Sequence, residues 1–284
     1  MKSKVKVFDG RDIIIATQHK KEKVLAPWLE KVLKVNCITP EGFDTDIFGT
    51  FSGEVDRKNY PLTTAREKCL QAMKLYNCDL AIASEGSFGP HPEMFFIPAD
   101  DEIIVLIDNK NNLEIKARHL STETNFSGKA ISSESELKSF AKTAMFPSHG
   151  LIIKKAKDDH SEVVKGIVDE ATLVSVYKHY LLTYGSVFVE TDMRAMYNPT
   201  RMLNIEKAAQ KLVEIASSLC PQCQTPGFSI HEIKPGLPCS LCGLPTRSTL
   251  SYIYICQCCT FEEEKRYPNK KLQEDPMYCD NCNP

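Results

Sequence analysis

Nine of the twelve cysteines crowd into the last 65 residues, and eight of them form four Cys-x-x-Cys pairs: Cys220/Cys223, Cys239/Cys242, Cys256/Cys259 and Cys279/Cys282. Fifteen residues separate the first two pairs and nineteen the last two. A Cys-x-x-Cys turn offers two thiolates from one knuckle, and zinc takes four tetrahedral sulfur ligands at about 2.3 Å. Eight ligands therefore predict two structural Zn²⁺ sites. Taken in chain order they form a double zinc ribbon, Cys220/Cys223 with Cys239/Cys242 and Cys256/Cys259 with Cys279/Cys282; an interleaved pairing fits the same spacing. A disulfide framework is disfavoured, because nothing in the sequence indicates export and cytosolic thiols stay reduced. Cys258, inside the third knuckle, is a spare. With every ligand a cysteine, no coordination position is left open for catalysis.

The cysteines thus divide the chain. Residues 1–219 hold only Cys37, Cys69 and Cys78, and read as an α/β domain; residues 220–284 read as the zinc module. That module carries six Lys/Arg and seven Asp/Glu, and eight thiolates on two Zn²⁺ add a formal −4. Phosphate-backbone binding needs a positive surface, so nucleic acid is not the expected partner, and a protein contact is preferred. Over the whole chain the net charge is −2. The longest apolar runs, such as "EIIVLI", are too short to span a bilayer, and the basic start lacks an apolar signal-peptide core. A cytoplasmic protein is expected, without a membrane partner.

Before the cysteines, apolar periodicity alternates between strand and helix. "RDIIIAT" predicts a buried strand, "KEKVLAPWLEKVLK" an amphipathic helix and "NCITP" a short strand. "PLTTAREKCLQAMKLY" predicts a second helix and "CDLAIAS" a third strand. A hairpin follows over "DEIIVLIDNKNNLEIKARH", then helices over "SESELKSFAKTAM" and "DEATLVSVYKHYLLTY", a strand "GSVFVETD" and a long helix from "NPTRM" to the first knuckle. The fold class is α/β, a mixed sheet flanked by helices.

Polar residues gather where strands end, the usual ligand position of open α/β sheets. Thr17, His19, Lys21 and Lys23 follow the first strand at a helix N-terminus. Cations are unfavourable there unless an anion such as phosphate selects them. Asp44 and Asp46 in "EGFDTDIFGTF" share a face if extended, and could hold Mg²⁺ through oxygen. "ASEGSFGPHP" reads as a glycine-rich loop after the third strand, with Ser84 and Gly86 near a ligand and Glu85 as base or metal ligand. Arg194 and Arg201 in "ETDMRAMYNPTRM" could clamp phosphate oxygens, or form an ion-pair network that docks the long helix. A serine–histidine nucleophile built on "ASEGSFG" and His149 lacks the Gly-x-Ser-x-Gly elbow.

The order of these motifs, over residues 11–118, resembles the inosine triphosphate pyrophosphatase superfamily. There "ATQHKKEK" stands where that superfamily has its Thr-x-Asn-x-x-Lys phosphate loop, and "TAREKCLQA" is similar to its Asn-Ala-x-x-Lys-Ala helix. "ASEGSFG" occupies the place of its acidic loop. His19 replaces the asparagine, and Lys21 and Lys23 flank the expected lysine position. Thr63 stands where many members carry a metal-binding glutamate. The resemblance implies Mg²⁺-dependent cleavage of non-standard nucleoside triphosphates, with Asp44, Asp46 and Glu85 handling metal and water. The alternative is a non-catalytic binder of a phosphorylated small molecule or nucleotide. Across nearly its whole length the chain also resembles a bacterial family described only as a domain of unknown function. "GFDTDIFGTF", "SEGSFGPHP", "STETNF", "FPSHG", "ETDMRA" and "NPTRM" carry that likeness, together with the cysteine tail.

Overall fold

The computed structural model describes residues 7–43 and 59–284; Asp44 and Asp46 lie outside them. The chain forms two compact units, Phe8–Val213 and a smaller one built from Glu214–Pro284. Among the described residues no helix is long and apolar enough to cross a membrane.

The larger unit opens with β1 (Asp12–Ile15), α1 (Glu22–Leu33), β2 (Asn36–Ile38), α2 (Pro61–Tyr76), β3 (Leu80–Pro90), β4 (Pro98–Asp108) and β5 (Leu113–Ser121). The strands make one sheet in the order β2-β1-β3-β4-β5. β1 is parallel to β2 and β3, while β3/β4 and β4/β5 are antiparallel. The sheet is mixed because only the crossovers through α1 and α2 are long enough to return the chain parallel.

Side chains alternate along β3. Ala81 and Ala83 face α2 and pack on Ala65, Cys69, Ala72 and Met73; these small residues let the helix lie close to the sheet. Ser84 and Gly86 face the other side. Leu25, Leu29 and Leu33, spaced by four, form the buried stripe of α1. Pro61 opens α2 at its first turn, where its missing N–H costs nothing.

A second sheet, in the order β6-β9-β7-β8, comprises β6 (Gly128–Ala130), β7 (Leu151–Lys154), β8 (Val163–Ile167) and β9 (Phe188–Thr191). It packs with α3 (Glu134–Thr143) and α4 (Glu170–Tyr184) around Leu137, Leu151, Ile153, Leu173, Tyr177 and Val189. α5 (Pro199–Ala216) follows. Its N-terminus is tied down by His149, whose Nε2 lies 2.9 Å from Thr200 Oγ1 and accepts from Thr200 N. Ser148 Oγ donates to the Met145 carbonyl at 2.6 Å, so this Ser–His pair is a helix anchor.

The smaller unit holds the antiparallel strands β10 (Ser229–Pro235), β11 (Thr249–Ile255) and β12 (Glu262–Arg266).

One local expectation is corrected. "SEGSFGP" is not a loop: β3 runs through it to Pro90, paired residue for residue with β4 from Ser84↔Ile104 to Pro90↔Pro98. The glycines and serine look like a turn in sequence. Here they are the small residues of a strand whose neighbours are large.

Candidate functional site

β1 pairs with β3 only at Ile14↔Ala81 and Ile15↔Ile82, and its last ladder bond runs from Ala16 N to the Ile82 carbonyl. Beyond that point the edge of β3 has lost its parallel partner, and the Ser84 carbonyl needs a donor. Lys21, where the chain turns into α1, supplies it: Nζ donates to Ser84 O at 2.9 Å and to Ser84 Oγ at 3.1 Å. The ammonium is buried, with 6% of the residue exposed, and among the described residues its hydrogen-bond partners are neutral oxygens. Burial, then the charge of Arg201, pull its pKa down from 10.5 to about 7.

On the α2 side, Glu85 continues the Ala81–Ala83 alternation and meets Lys68 of α2 in a buried ion pair. On the opposite side, Arg201 of α5 donates through Nε to Glu102 Oε1 of β4 at 2.6 Å, with both side chains fully buried. Its Nη1 donates to the Met193 carbonyl, and its guanidinium lies 5.1 Å from the Phe88 ring centroid. Gly86 faces Glu102 across the ladder; a Cβ there would lie 2.7 Å from Arg201 Nη2 and closer still to Glu102 Oε1. The glycine is therefore required by packing against this ion pair. Asn204, one turn further along α5, donates to Asp100 Oδ2 at 2.9 Å. Burial and the neighbouring Glu102 push Asp100 up to about 7.

His19 stands half-buried among these cations. Burial first, then Lys21, Arg201, Arg194 and Lys68, push its pKa down to about 3, so it is neutral at physiological pH. Arg194 pairs with Asp192 through Nη2 at 2.6 Å and stacks on Tyr197 with its Cζ 4.5 Å from the ring centroid.

Of the sequence candidates, Thr17, His19, Lys21, Ser84, Glu85, Gly86 and Arg201 therefore fall in one neighbourhood at the end of β1, with Arg194 close enough to act on His19. Lys23 does not join them: it is exposed on the first turn of α1. Both arginines already have carboxylate partners, as in the ion-pair alternative, and Arg201 docks α5 onto β4. Sequence reasoning passed over Lys68, Asp100, Glu102 and Asn204. Lys68 stands inside "TAREKCLQA", so that stretch held its signal; the other three resemble ordinary strand and helix polar residues until α5 is laid across β4.

In the smaller unit the cysteine sulfurs gather into two groups, Cys220/Cys223/Cys256/Cys259 and Cys239/Cys242/Cys279/Cys282, all within 4.8 Å of one another in each. Sulfurs lie 3.5 Å apart for Cys223–Cys256, 3.7 Å for Cys220–Cys259, 3.6 Å for Cys242–Cys279 and 3.9 Å for Cys239–Cys282. Tetrahedral sulfurs about 2.3 Å from zinc stand ~3.8 Å apart, so both clusters fit structural zinc.

The pairing is interleaved, which corrects the chain-order ribbons. The reason is register. Ser229↔Ile255 pairs the start of β10 with the end of β11, bringing the first knuckle to the third. The second knuckle follows the far end of β10, a strand of seven residues or roughly 24 Å, and meets the fourth. The first three knuckles share one local geometry. Gln224, Gly243 and Thr260 adopt positive φ and donate N–H to the carbonyls of Cys220, Cys239 and Cys256. Leu241 N and Cys258 N each donate to a ligand sulfur at 3.4 Å.

The family model described as "Domain of unknown function (DUF6671)" matches residues 68–284. Comparison with curated proteins gives no match. Among solved structures, the crystal structure of protein VC0702 from Vibrio cholerae is similar at 10% identity and a TM-score of 0.31, covering 72% of this chain and 94% of that one.

Proposed function

The chain belongs to the DUF6671 family, whose description carries no activity, and for this member we propose a phosphate-binding site at the end of β1 that takes a nucleotide-class ligand. The observation that carries the proposal is the Lys21 ammonium, buried on neutral oxygens of Ser84. Among the described residues, Lys68, Arg201 and Arg194 each have a carboxylate partner, whereas Lys21 is bonded to neutral oxygens, and its charge is the one a ligand would balance. Thr17, with its buried hydroxyl Oγ1 lacking a hydrogen-bond partner among the described residues, and the neutral His19 ring complete the phosphate contacts.

In the catalytic form of this proposal the ligand is a nucleoside triphosphate and the reaction is Mg²⁺-dependent release of pyrophosphate. The resemblance of residues 11–118 to the inosine triphosphate pyrophosphatases supports it. Glu85 would orient the attacking water or hold the metal with Asp44 and Asp46, and the metal would neutralise charge on the departing phosphates. A second reading, a binder without turnover, is favoured by the Glu85–Lys68 ion pair, which already occupies that carboxylate. Purified protein incubated with Mg²⁺ and a panel of standard and deaminated nucleoside triphosphates separates the two. Pyrophosphate release supports the enzyme. A melting temperature raised by triphosphate without release supports the binder, and neither signal removes the phosphate site.

For the cysteine-rich unit we propose a structural core that contacts a protein. Exposed Leu241, Leu244, Met277 and Tyr278 lie in sequence beside the ligands of the second cluster, and the net negative charge of the zinc-loaded unit offers nothing to nucleic acid. Loss of a co-purifying partner on Leu241→Ser would test it; salt-dependent DNA or RNA binding would reverse it.

A further inference from the structure

Asp100 and Glu102 stand two residues apart on one face of β4, both with no measurable exposure. Glu102 Oε1 accepts from Arg201 and Asp100 Oδ2 accepts from Asn204. The remaining oxygens, Asp100 Oδ1 and Glu102 Oε2, are buried and have no hydrogen-bond partner among the described residues. Two carboxylates buried two residues apart on one strand face, with a single arginine hydrogen-bonded to the pair among the described residues, do not both ionise in a dry site. One proton solves both orphans at once, carried on Asp100 Oδ1 and donated to Glu102 Oε2.

We infer that Asp100 and Glu102 share a single proton at neutral pH, and that this proton sets the charge of the anion site beside it. The groups that face the pair are Arg201 and Asn204 from α5, His119 from β5, opposite Glu102 in register, and Lys21 from the start of α1. With the proton in place the pair carries one negative charge, which Arg201 matches, and Lys21 stays available to an anion. Without it the pair carries two, and the second offsets Lys21. The part of the inference that concerns the anion rests on the phosphate reading; the shared proton does not.

The sign follows from linkage. A carboxyl held up to about 7 in the fold and near 3.9 when unfolded stabilises most in acid. Its contribution is lost as pH rises through that interval and levels off above it. Asp100→Asn keeps a permanent donor towards Glu102. Full-length zinc-loaded protein should therefore fall in melting temperature, relative to Asp100→Asn, by roughly 5 °C between about pH 5 and pH 8. Infrared spectra of the wild type at about pH 6 should show the carbonyl stretch of a protonated carboxyl, absent from Asp100→Asn, or from Glu102→Gln if the first variant does not fold. Parallel pH profiles, no such band, or a Mg²⁺-induced rise in melting temperature confined to the wild type would each overturn the shared proton. Inorganic pyrophosphate is the anion probe: its affinity should fall several-fold more between those pH values in the wild type than in Asp100→Asn. If pyrophosphate does not bind while the band and the stability profile appear, the phosphate reading fails and the proton stands.

Discussion

Glu85 and Lys21 show how much one side chain at this site is asked to do. Replacing Glu85 by Gln removes the charged acceptor of a buried ion pair with Lys68, a loss of about 3 kcal/mol. Thermal melting should record that loss. The paired change Glu85→Gln with Lys68→Met should recover most of it, since both charges leave together. If Glu85 serves the chemistry, the pair stays inactive for pyrophosphate release although it is folded; activity restored with stability would make Glu85 a structural acid only. Lys21 gives a second test. Its pKa falls from 10.5 unfolded to about 7 in the fold, so its contribution to stability grows as pH rises across that interval. A bound phosphate raises that pKa again, and association near pH 8 must then take up a proton. Calorimetry with pyrophosphate, in buffers of different ionisation enthalpy, should give heats that depend more steeply on the buffer for the wild type than for Lys21→Met, in which only the Asp100–Glu102 proton and the ligand's own ionisation remain. The same dependence in both would remove Lys21 from the site.

Among the elements, β3 decides where the site lies, because it outruns β1 and carries an edge without a strand partner past the start of α1. Gly86 is the residue on which that close approach depends: Gly86→Ala would force the Arg201–Glu102 pair apart. We expect a cost of about 2 kcal/mol, with α5 losing amide protection at Arg201 and Asn204 first; unchanged exchange there would show that the pair can shift to admit a methyl group. The same strand shows what could be read in advance. Apolar alternation located β1, α1, α2 and the β4–β5 hairpin, since their periodicity is local. β6, with three residues, and β10, with almost every side chain exposed, carry no such pattern. "SEGSFGP" resembles a turn because the reason for its small residues lies 16 and 115 residues away, at Glu102 and Arg201. His19, Lys21, Ser84 and Arg201 were identifiable by type and position. Asp100 and Asn204 were not, because their meeting depends on how α5 lies on the sheet.

At the scale of the whole molecule, the two units rest on different sources of stability, and this makes them separable by chemistry. The larger has extensive apolar cores; in the smaller the buried apolar side chains are few, chiefly Phe228, Leu237 and Ile253, beside four of its ligand cysteines, Cys220, Cys239, Cys256 and Cys279. Metal binding in such modules is folding free energy, on the order of 10 kcal/mol for each zinc. Strong chelation should therefore unfold β10–β12 while the helical circular dichroism of α1–α4 persists; loss of both together would show that the larger unit also depends on the metal. The interleaved pairing predicts more than the number of ions. Cys220 and Cys256 belong to one cluster, so the double change Cys220→Ser with Cys256→Ser should leave one zinc per chain. Cys220→Ser with Cys239→Ser touches both clusters and should leave none bound tightly. Ribbons paired in chain order predict the reverse, because Cys220 and Cys239 would then share a site. Zinc counted per chain in these two variants thus reports the register of β10 against β11 (the contact that sends each knuckle to its partner) without any need to see the strands themselves.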